Sequence, residues 1–261
     1  MRRVLGCLLL VTAWQVNAAE RVVSLAPSLT EIVIELGAAD RLVGVLDGGE
    51  RPAQVAGVPS VGRYGQLNME QLLALRPDLL LLWPGSVSAA QRDQLQRLNI
   101  PTFTAEPHTL DQLAEQIGQI GERLGRAEQG QQVAGDFRQR LADLRTRYRR
   151  QTPTSVFYQV WDQPLYTVGG GQIISDALKV CGARNLFSDL AQPAPQVSLE
   201  AVLQRNPEVV VAGSASQLDI WKAWPSLKAR LLVVPDKGIE RPSGQMLGAV
   251  AKLCETLSPE R

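Results

Sequence analysis

The chain has 261 residues, 45 % of them apolar and 20 % charged, with a formal net charge of +1. That length fits one large domain or two ordinary ones. The apolar fraction excludes wholesale disorder, and the near-balanced charge excludes the broad basic face of a nucleic-acid protein. The single histidine, His108, argues against a multi-histidine metal centre and leaves one candidate base for a serine or cysteine triad.

Residues 1–18 read as a secretory signal peptide. Arg2 and Arg3 form a positive n-region, residues 4–13 a short apolar run, and Val16 and Ala18 supply small side chains for cleavage after Ala18. The run is too short for a permanent membrane anchor. A lipobox at Leu5-Gly6-Cys7 is the rival reading, but the apolar run follows Cys7 instead of preceding it. Loss of Arg2 and Arg3 leaves 25 basic and 26 acidic residues, a formal charge of −1. The mature chain is expected to be soluble and exported. Of three cysteines, Cys181 and Cys254 remain. In an oxidising compartment two cysteines ordinarily form one disulfide, closing a loop of about 72 residues and contributing about 4 kcal/mol. Two buried free thiols are the alternative.

Residues 21–25 read as a β-branched strand. Ser28 and Glu31 have the spacing of a capping box for a helix ending at Gly37. Residues 42–45 form another strand. Asn68 caps a helix that must stop before Pro77, and the apolar run 79–83 reads as a strand buried on both faces. A helix from Ser88 to Leu98 and a strand at 101–104 complete an alternation that implies βα units and a mainly parallel sheet. From 109 to 150 apolar residues recur at helical spacing, with a break near 125–130. After Pro153 the alternation resumes, with strands at 155–160, 208–212 and 231–235 and helices at 174–181, 199–205 and 242–257. The expected organisation is two Rossmann-like α/β lobes, residues 19–108 and 151–261, joined by a long helical segment at 109–150.

The halves echo each other. Asn68-Met69-Glu70 before Pro77-Asp78 and a strand matches Ser198-Leu199-Glu200 before Pro207-Glu208 and a strand, at a constant offset of 130. A second echo pairs 31–37 with 176–182. A repeat at this spacing means two similar lobes. The cleft between them is a natural small-molecule site, lined by loops after strand C-termini. Candidates are 26–28, Tyr64 in a glycine-rich loop, Trp83, Trp161-Asp162, Ser214 and Asp236; Trp221 and Trp224 read as structural. Glu70 and Glu200 sit on the first turns of matching helices. There a carboxylate gains from the helix dipole, and two of them could also steer a twofold partner. An exported hydrolase is the reading from another class. The segment 212–216 lacks the nucleophile-elbow spacing, and Gly169-Gly170-Gly171 lacks the Lys-Ser/Thr of a phosphate loop, so no catalytic residue is assigned.

Ser24-Leu25-Ala26-Pro27-Ser28-Leu29-Thr30-Glu31, the stretch 68–78 and Val197-Ser198-Leu199-Glu200 resemble the periplasmic substrate-binding proteins of ABC importers for cobalamin, siderophores and haem. The similarity covers essentially the whole mature chain. Lys179-Val180-Cys181-Gly182, Asn185-Leu186-Phe187, Pro195-Gln196-Val197-Ser198 and Leu253-Cys254 are similar to the cobalamin-binding (vitamin B12) branch. The resemblance implies a class III periplasmic binding protein, not an enzyme, with no cofactor and no metal, acting as a monomer. It implies a Cys181–Cys254 disulfide, a corrinoid held by Tyr64, Trp83, Trp161, Asp236 and Arg241, and Glu70 and Glu200 engaging arginines of a permease dimer. Asp236 and Arg241 resemble an acid–arginine pair. Gly48 and Ala194 stand where that branch carries aromatics. A siderophore or haem carrier is the alternative, with Tyr64 as a candidate axial ligand and His108 as a surface or capping residue.

Overall fold

The computed structural model describes residues 18–49 and 51–258. The expected signal peptide, apart from Ala18, and Cys7 lie outside them. In chain order the elements are β1 (Val22–Ser24), α1 (Pro27–Glu35), β2 (Leu42–Asp47), β3 (Ser60–Arg63), β4 (Gln66–Leu67), α2 (Met69–Ala74), β5 (Leu79–Leu82), α3 (Ala89–Arg97) and β6 (Thr102–Thr104). Two helices follow, α4 (Leu110–Arg123) and α5 (Ala127–Arg147). The second half contains β7 (Thr154–Asp162), β8 (Leu165–Thr167), α6 (Ile173–Val180), β9 (Ala183–Asn185), α7 (Leu199–Arg205), β10 (Val209–Ala212), α8 (Asp219–Lys222), β11 (Arg230–Val233) and α9 (Met246–Leu257).

The first sheet has the order β4-β3-β2-β1-β5-β6, parallel except for the short β3–β4 hairpin. The second has the order β11-β10-β7-β8, with β9 parallel to the start of β7 and β8 antiparallel to its end. The β3–β4, β8 and β9 pairings come from segments that carry no apolar alternation.

Successive strand residues face opposite ways, and this divides the core into three. Val22, Leu81, Val156, Tyr158 and Val211 join one cluster with Leu113, Ile117 and Ile120 of α4 and Phe137 and Leu141 of α5. Val23, Leu80 and Leu72 build a separate cluster on the outer face of the first sheet. Phe157, Val210 and Trp221 build another on the outer face of the second. The two lobes therefore share a single inner core layer, made by α1, α4, α5, α6 and α9. Trp221 is structural, as expected: it is buried and donates its indole N–H to Gln159 Oε1 at 2.7 Å.

The helical segment breaks at residues 124–126, and α4 and α5 pack along each other. With 21 residues, α5 is about 31 Å long. Its first turn follows Gly125, beside Ala18 and, in the first lobe, Arg41, and its end leads to Tyr148, against Gly182 of the second.

The repeat is physical as well as textual. Asn68 accepts from Gln71 N at 3.0 Å and Ser198 from Ala201 N at 3.1 Å, each capping its helix. Both helices end on a left-handed residue, Arg76 (φ 45°) and Asn206 (φ 46°). The acid after each proline then ties that turn to the entry of the lobe's first strand. Asp78 accepts from Glu20 N and Arg21 N at 2.9 Å, and Glu208 from Ser155 N at 2.6 Å. The second echo ends on Gly37 (φ 65°) and Gly182 (φ 66°), matching left-handed stops after α1 and α6.

Two helix starts differ from expectation. Pro27 occupies the first turn of α1 after Ala26, which makes no side-chain cap, so Ser28 and Glu31 form no capping box. Glu31 instead bonds to the other lobe. Residues 242–245 stay outside α9, which starts at Met246.

Candidate functional site

A cavity of about 970 Å³ opens between the lobes. That is the upper end of the range of roughly 300–1,000 Å³ for small-molecule pockets. Its first wall consists of residues that follow parallel strands: Pro27 and Ser28 after β1, Gly48 after β2, Tyr64 after β3, Trp83 after β5 and His108 after β6. The second wall has Val160 of β7, Val168 after β8, Gln172 to Ile174 at the start of α6, and the loop from Asp236 to Arg241 after β11. Leu29, Ile32, Leu113 and Gln116 lie deeper. Strand ends converge here because parallel strands of both sheets deliver their loops to the same edge.

Tyr64 and Trp83 meet edge to face, ring centroids 6.0 Å apart at 87°. Each ring rests on a glycine. A Cβ at Gly48 would lie 2.9 Å from the Tyr64 ring, and one at Gly85 would lie 2.7 Å from the Trp83 ring. Gly48 therefore leaves room for the neighbouring aromatic. Burial, with repulsion from Glu31 added, pushes the Tyr64 phenol above its usual value against the opposing pull of Arg241. Tyr64 is accordingly neutral across the physiological range.

Of the expected ligand contacts, Tyr64, Trp83, Asp236 and Arg241 line the cavity; Trp161 does not. Strand alternation, with an irregularity between Gln159 and Trp161, turns Val160 to the cleft and leaves Trp161 exposed, its indole N–H donating to Gln163 O at 3.1 Å. Asp236 and Arg241 do not pair with each other. Asp236 accepts from Gly238 N at 2.9 Å and Lys252 Nζ at 2.6 Å, and the lysine, then the backbone bond, hold its carboxyl low. Arg241 Nη1 instead reaches across the cleft to Glu31 Oε1 at 2.6 Å.

This pair belongs to a set of bonds joining the lobes. Ser243 donates to Glu31 Oε2 at 2.8 Å, and Gly244 N to Glu35 Oε2 at 3.0 Å. Asp176 of α6 accepts from Leu110 N at 3.0 Å, capping α4 from the opposite lobe. His108 Nδ1 lies 3.0 Å from Gly171 O. A carbonyl only accepts, so Nδ1 carries the proton. Sequence reasoning missed Glu31, Glu35 and Ser243. Glu31 and Glu35 are spaced i, i+4 on α1, a signal that both face one partner, but the partner lies more than 200 residues away.

Glu70 and Glu200 are exposed on the first turns of α2 and α7, one on each lobe. The Glu200 carboxyl is held low by its own backbone N–H and the Ser198 hydroxyl. Cys181, at the end of α6, and Cys254, in α9, form a fully buried disulfide with Cα atoms 4.5 Å apart. Among the described residues no group of His, Cys, Asp and Glu could hold a metal ion, and no helix is long and apolar enough to cross a membrane.

Residues 22–230 match the family model described as periplasmic binding protein. The vitamin B12-binding protein of Yersinia pestis (strain Pestoides F) is 37 % identical over 245 residues, spanning 93 % of this chain and 88 % of that protein. The crystal structure of the periplasmic vitamin B12 binding protein BtuF of Vibrio cholerae is similar with a TM-score of 0.83 and 34 % identity, over 91 % of this chain and 96 % of that one. A periplasmic heme binding protein from Pseudomonas aeruginosa has a TM-score of 0.75 at 28 % identity, over 93 % and 94 % of the two chains.

Proposed function

This chain belongs to the periplasmic binding protein family, and on that premise we propose that it captures cobalamin or a related corrinoid between its lobes and delivers it to an ABC importer. The observation that carries this reading is the cleft itself. It is large, and one wall is an edge-to-face Tyr64–Trp83 pair seated on glycines. Flat aromatic and apolar surface suits the bulk of a corrin ring, and polar groups at the rim suit its peripheral amides. Tyr64, Trp83, Asp236 and Arg241 contact the ligand, with Val160 taking the place expected of Trp161.

A haem carrier would call on Tyr64 as an axial ligand. Calorimetry of the purified mature protein with cyanocobalamin tests the reading. Saturable heat and a thermal upshift are expected; no heat at saturating ligand, with a Soret shift on adding hemin that is lost in Tyr64→Phe, would overturn it in favour of haem.

Residues 1–18 direct export, 19–108 and 151–261 act as the two lobes, and 109–150 braces them. The protein works as a periplasmic monomer. Glu70 and Glu200, at equivalent places on the two lobes, dock it to paired arginines of a permease dimer. Reversing both to Arg should abolish uptake while leaving ligand affinity unchanged; normal uptake would rule out their role. The buried disulfide supports an oxidising compartment.

A further inference from the structure

We propose that Glu31 sets the charge selectivity of the cleft: it neutralises Arg241 from behind, so that the site accepts a ligand with uncharged amides at that position and rejects the corresponding carboxylate. The inference rests on the corrinoid reading above and adds a specificity-determining residue to it.

Arg241 is the one guanidinium among the described residues lining the cavity. Alone it would attract anions. Its Nη1 is bonded to Glu31 Oε1 at 2.6 Å, and the second Glu31 oxygen is held by Ser243 Oγ at 2.8 Å. The two partners are placed asymmetrically. The Glu31 side chain is 5 % exposed, whereas that of Arg241 is 40 % exposed. A ligand in the cleft therefore meets guanidinium N–H donors whose charge is cancelled by a carboxylate it cannot reach. A guanidinium has five N–H donors, so those not used by Glu31 remain for a neutral carbonyl oxygen. Among the other charged side chains of the lining, Glu106 and Glu240, together with Asp236 paired to Lys252, outnumber Lys237.

Glu31 does not touch the ligand in this scheme; it acts through Arg241. A purely structural role would lower affinity for all ligands alike, whereas a charge role changes the ratio between an amide and its carboxylate. The probes are cyanocobalamin and its peripheral monocarboxylic acids, in each of which one propionamide is replaced by a carboxylate. Their affinities are measured for the wild type, Glu31→Gln and Ser243→Ala, with circular dichroism confirming the fold.

The wild type should bind at least one monocarboxylate about tenfold or more weakly than cyanocobalamin, as expected for a rejected charge. Glu31→Gln, which keeps the shape and an acceptor, should shrink that ratio about tenfold for the isomer facing Arg241. Ser243→Ala, which leaves both charges, should keep it. A ratio unchanged in Glu31→Gln for every isomer, or a wild type that binds all monocarboxylates as tightly as cyanocobalamin, overturns the inference and leaves the corrinoid function standing. Failure of the wild type to bind any corrinoid overturns both. If Glu31→Gln does not fold, the double variant Glu31→Gln/Arg241→Gln carries the test. With both charges gone the ratio should stay within about twofold of the wild type, and a larger change in either direction shows that the two charges do not cancel at the ligand and refutes the proposal.

Discussion

Gly48→Ala should damage the ligand site through a single added methyl group. The new Cβ would lie 2.7 Å from Pro27 Cγ and 2.9 Å from Tyr64 Cε2, where ordinary carbon contacts are about 3.5–4.0 Å. Pro27 is fixed in the first turn of α1, so the half-exposed Tyr64 ring must yield. Overpacking of this kind costs about 1–3 kcal/mol. Tyr64 can swing away but Pro27 cannot, so the whole of that range applies, a fall in Tm of about 2–12 °C for a protein of this size. Moving the ring also breaks its contact with Trp83, worth about 0.5–1.5 kcal/mol. Cyanocobalamin affinity should then fall roughly three- to tenfold. Calorimetric titration and a thermal melt measure both effects. In a Tyr64→Ala background, where the ring is absent, Gly48→Ala should have little further effect on affinity, so the two changes should be non-additive. Wild-type affinity in Gly48→Ala, or strict additivity in the double variant, would refute the idea that the glycine seats the aromatic wall.

The Cys181→Ala/Cys254→Ala variant should lose about 4 kcal/mol of stability, from the entropy of the opened loop. Thermal melts should show Tm falling by roughly 8–16 °C, and a change under 2 °C would contradict the estimate. Glu35 provides a pH signature. Burial, opposed by the Gly244 N–H bond and aided by repulsion from Glu31, raises its carboxyl above the unfolded value of 4.5. Its protonated form is thus favoured in the folded state, a contribution fully present below pH 4.5 and lost as pH rises through the raised value. Glu35→Gln should therefore be more stable than wild type at neutral pH, with the advantage shrinking to nothing below pH 4.5. Denaturant unfolding across pH 4–8 checks this; a pH-independent difference would refute it.

Much of the fold was legible in the sequence because its signals are local. Asn68 and Ser198 cap the helices they were expected to cap, since a capping side chain needs only a backbone N–H three residues on, and Ser88, expected as the first residue of its helix, is that helix's cap. The apolar run at Leu79–Leu82 is a central strand buried on both faces, as its continuity required. The 130-residue repeat located the two lobes, and it located the matched glutamates before any geometry was known.

Tertiary structure decided the points at which a local preference competed with a distant partner. Ser28 and Glu31 have capping-box spacing, yet Pro27 starts the helix and Glu31 reaches Arg241, 210 residues along the chain. Val160 rather than Trp161 meets the cleft because an irregular pairing of β7 with β8 sets which side chains face inward. Asp236 and Arg241 lie close in sequence and line the same cavity, but each takes its counter-ion from elsewhere, Lys252 and Glu31. Caps, alternation and repeats act over a few residues and survive in a one-dimensional reading. Ion pairing and cleft orientation depend on which surfaces the shared inner core presses together, and that emerges only once both sheets are packed on the same helices.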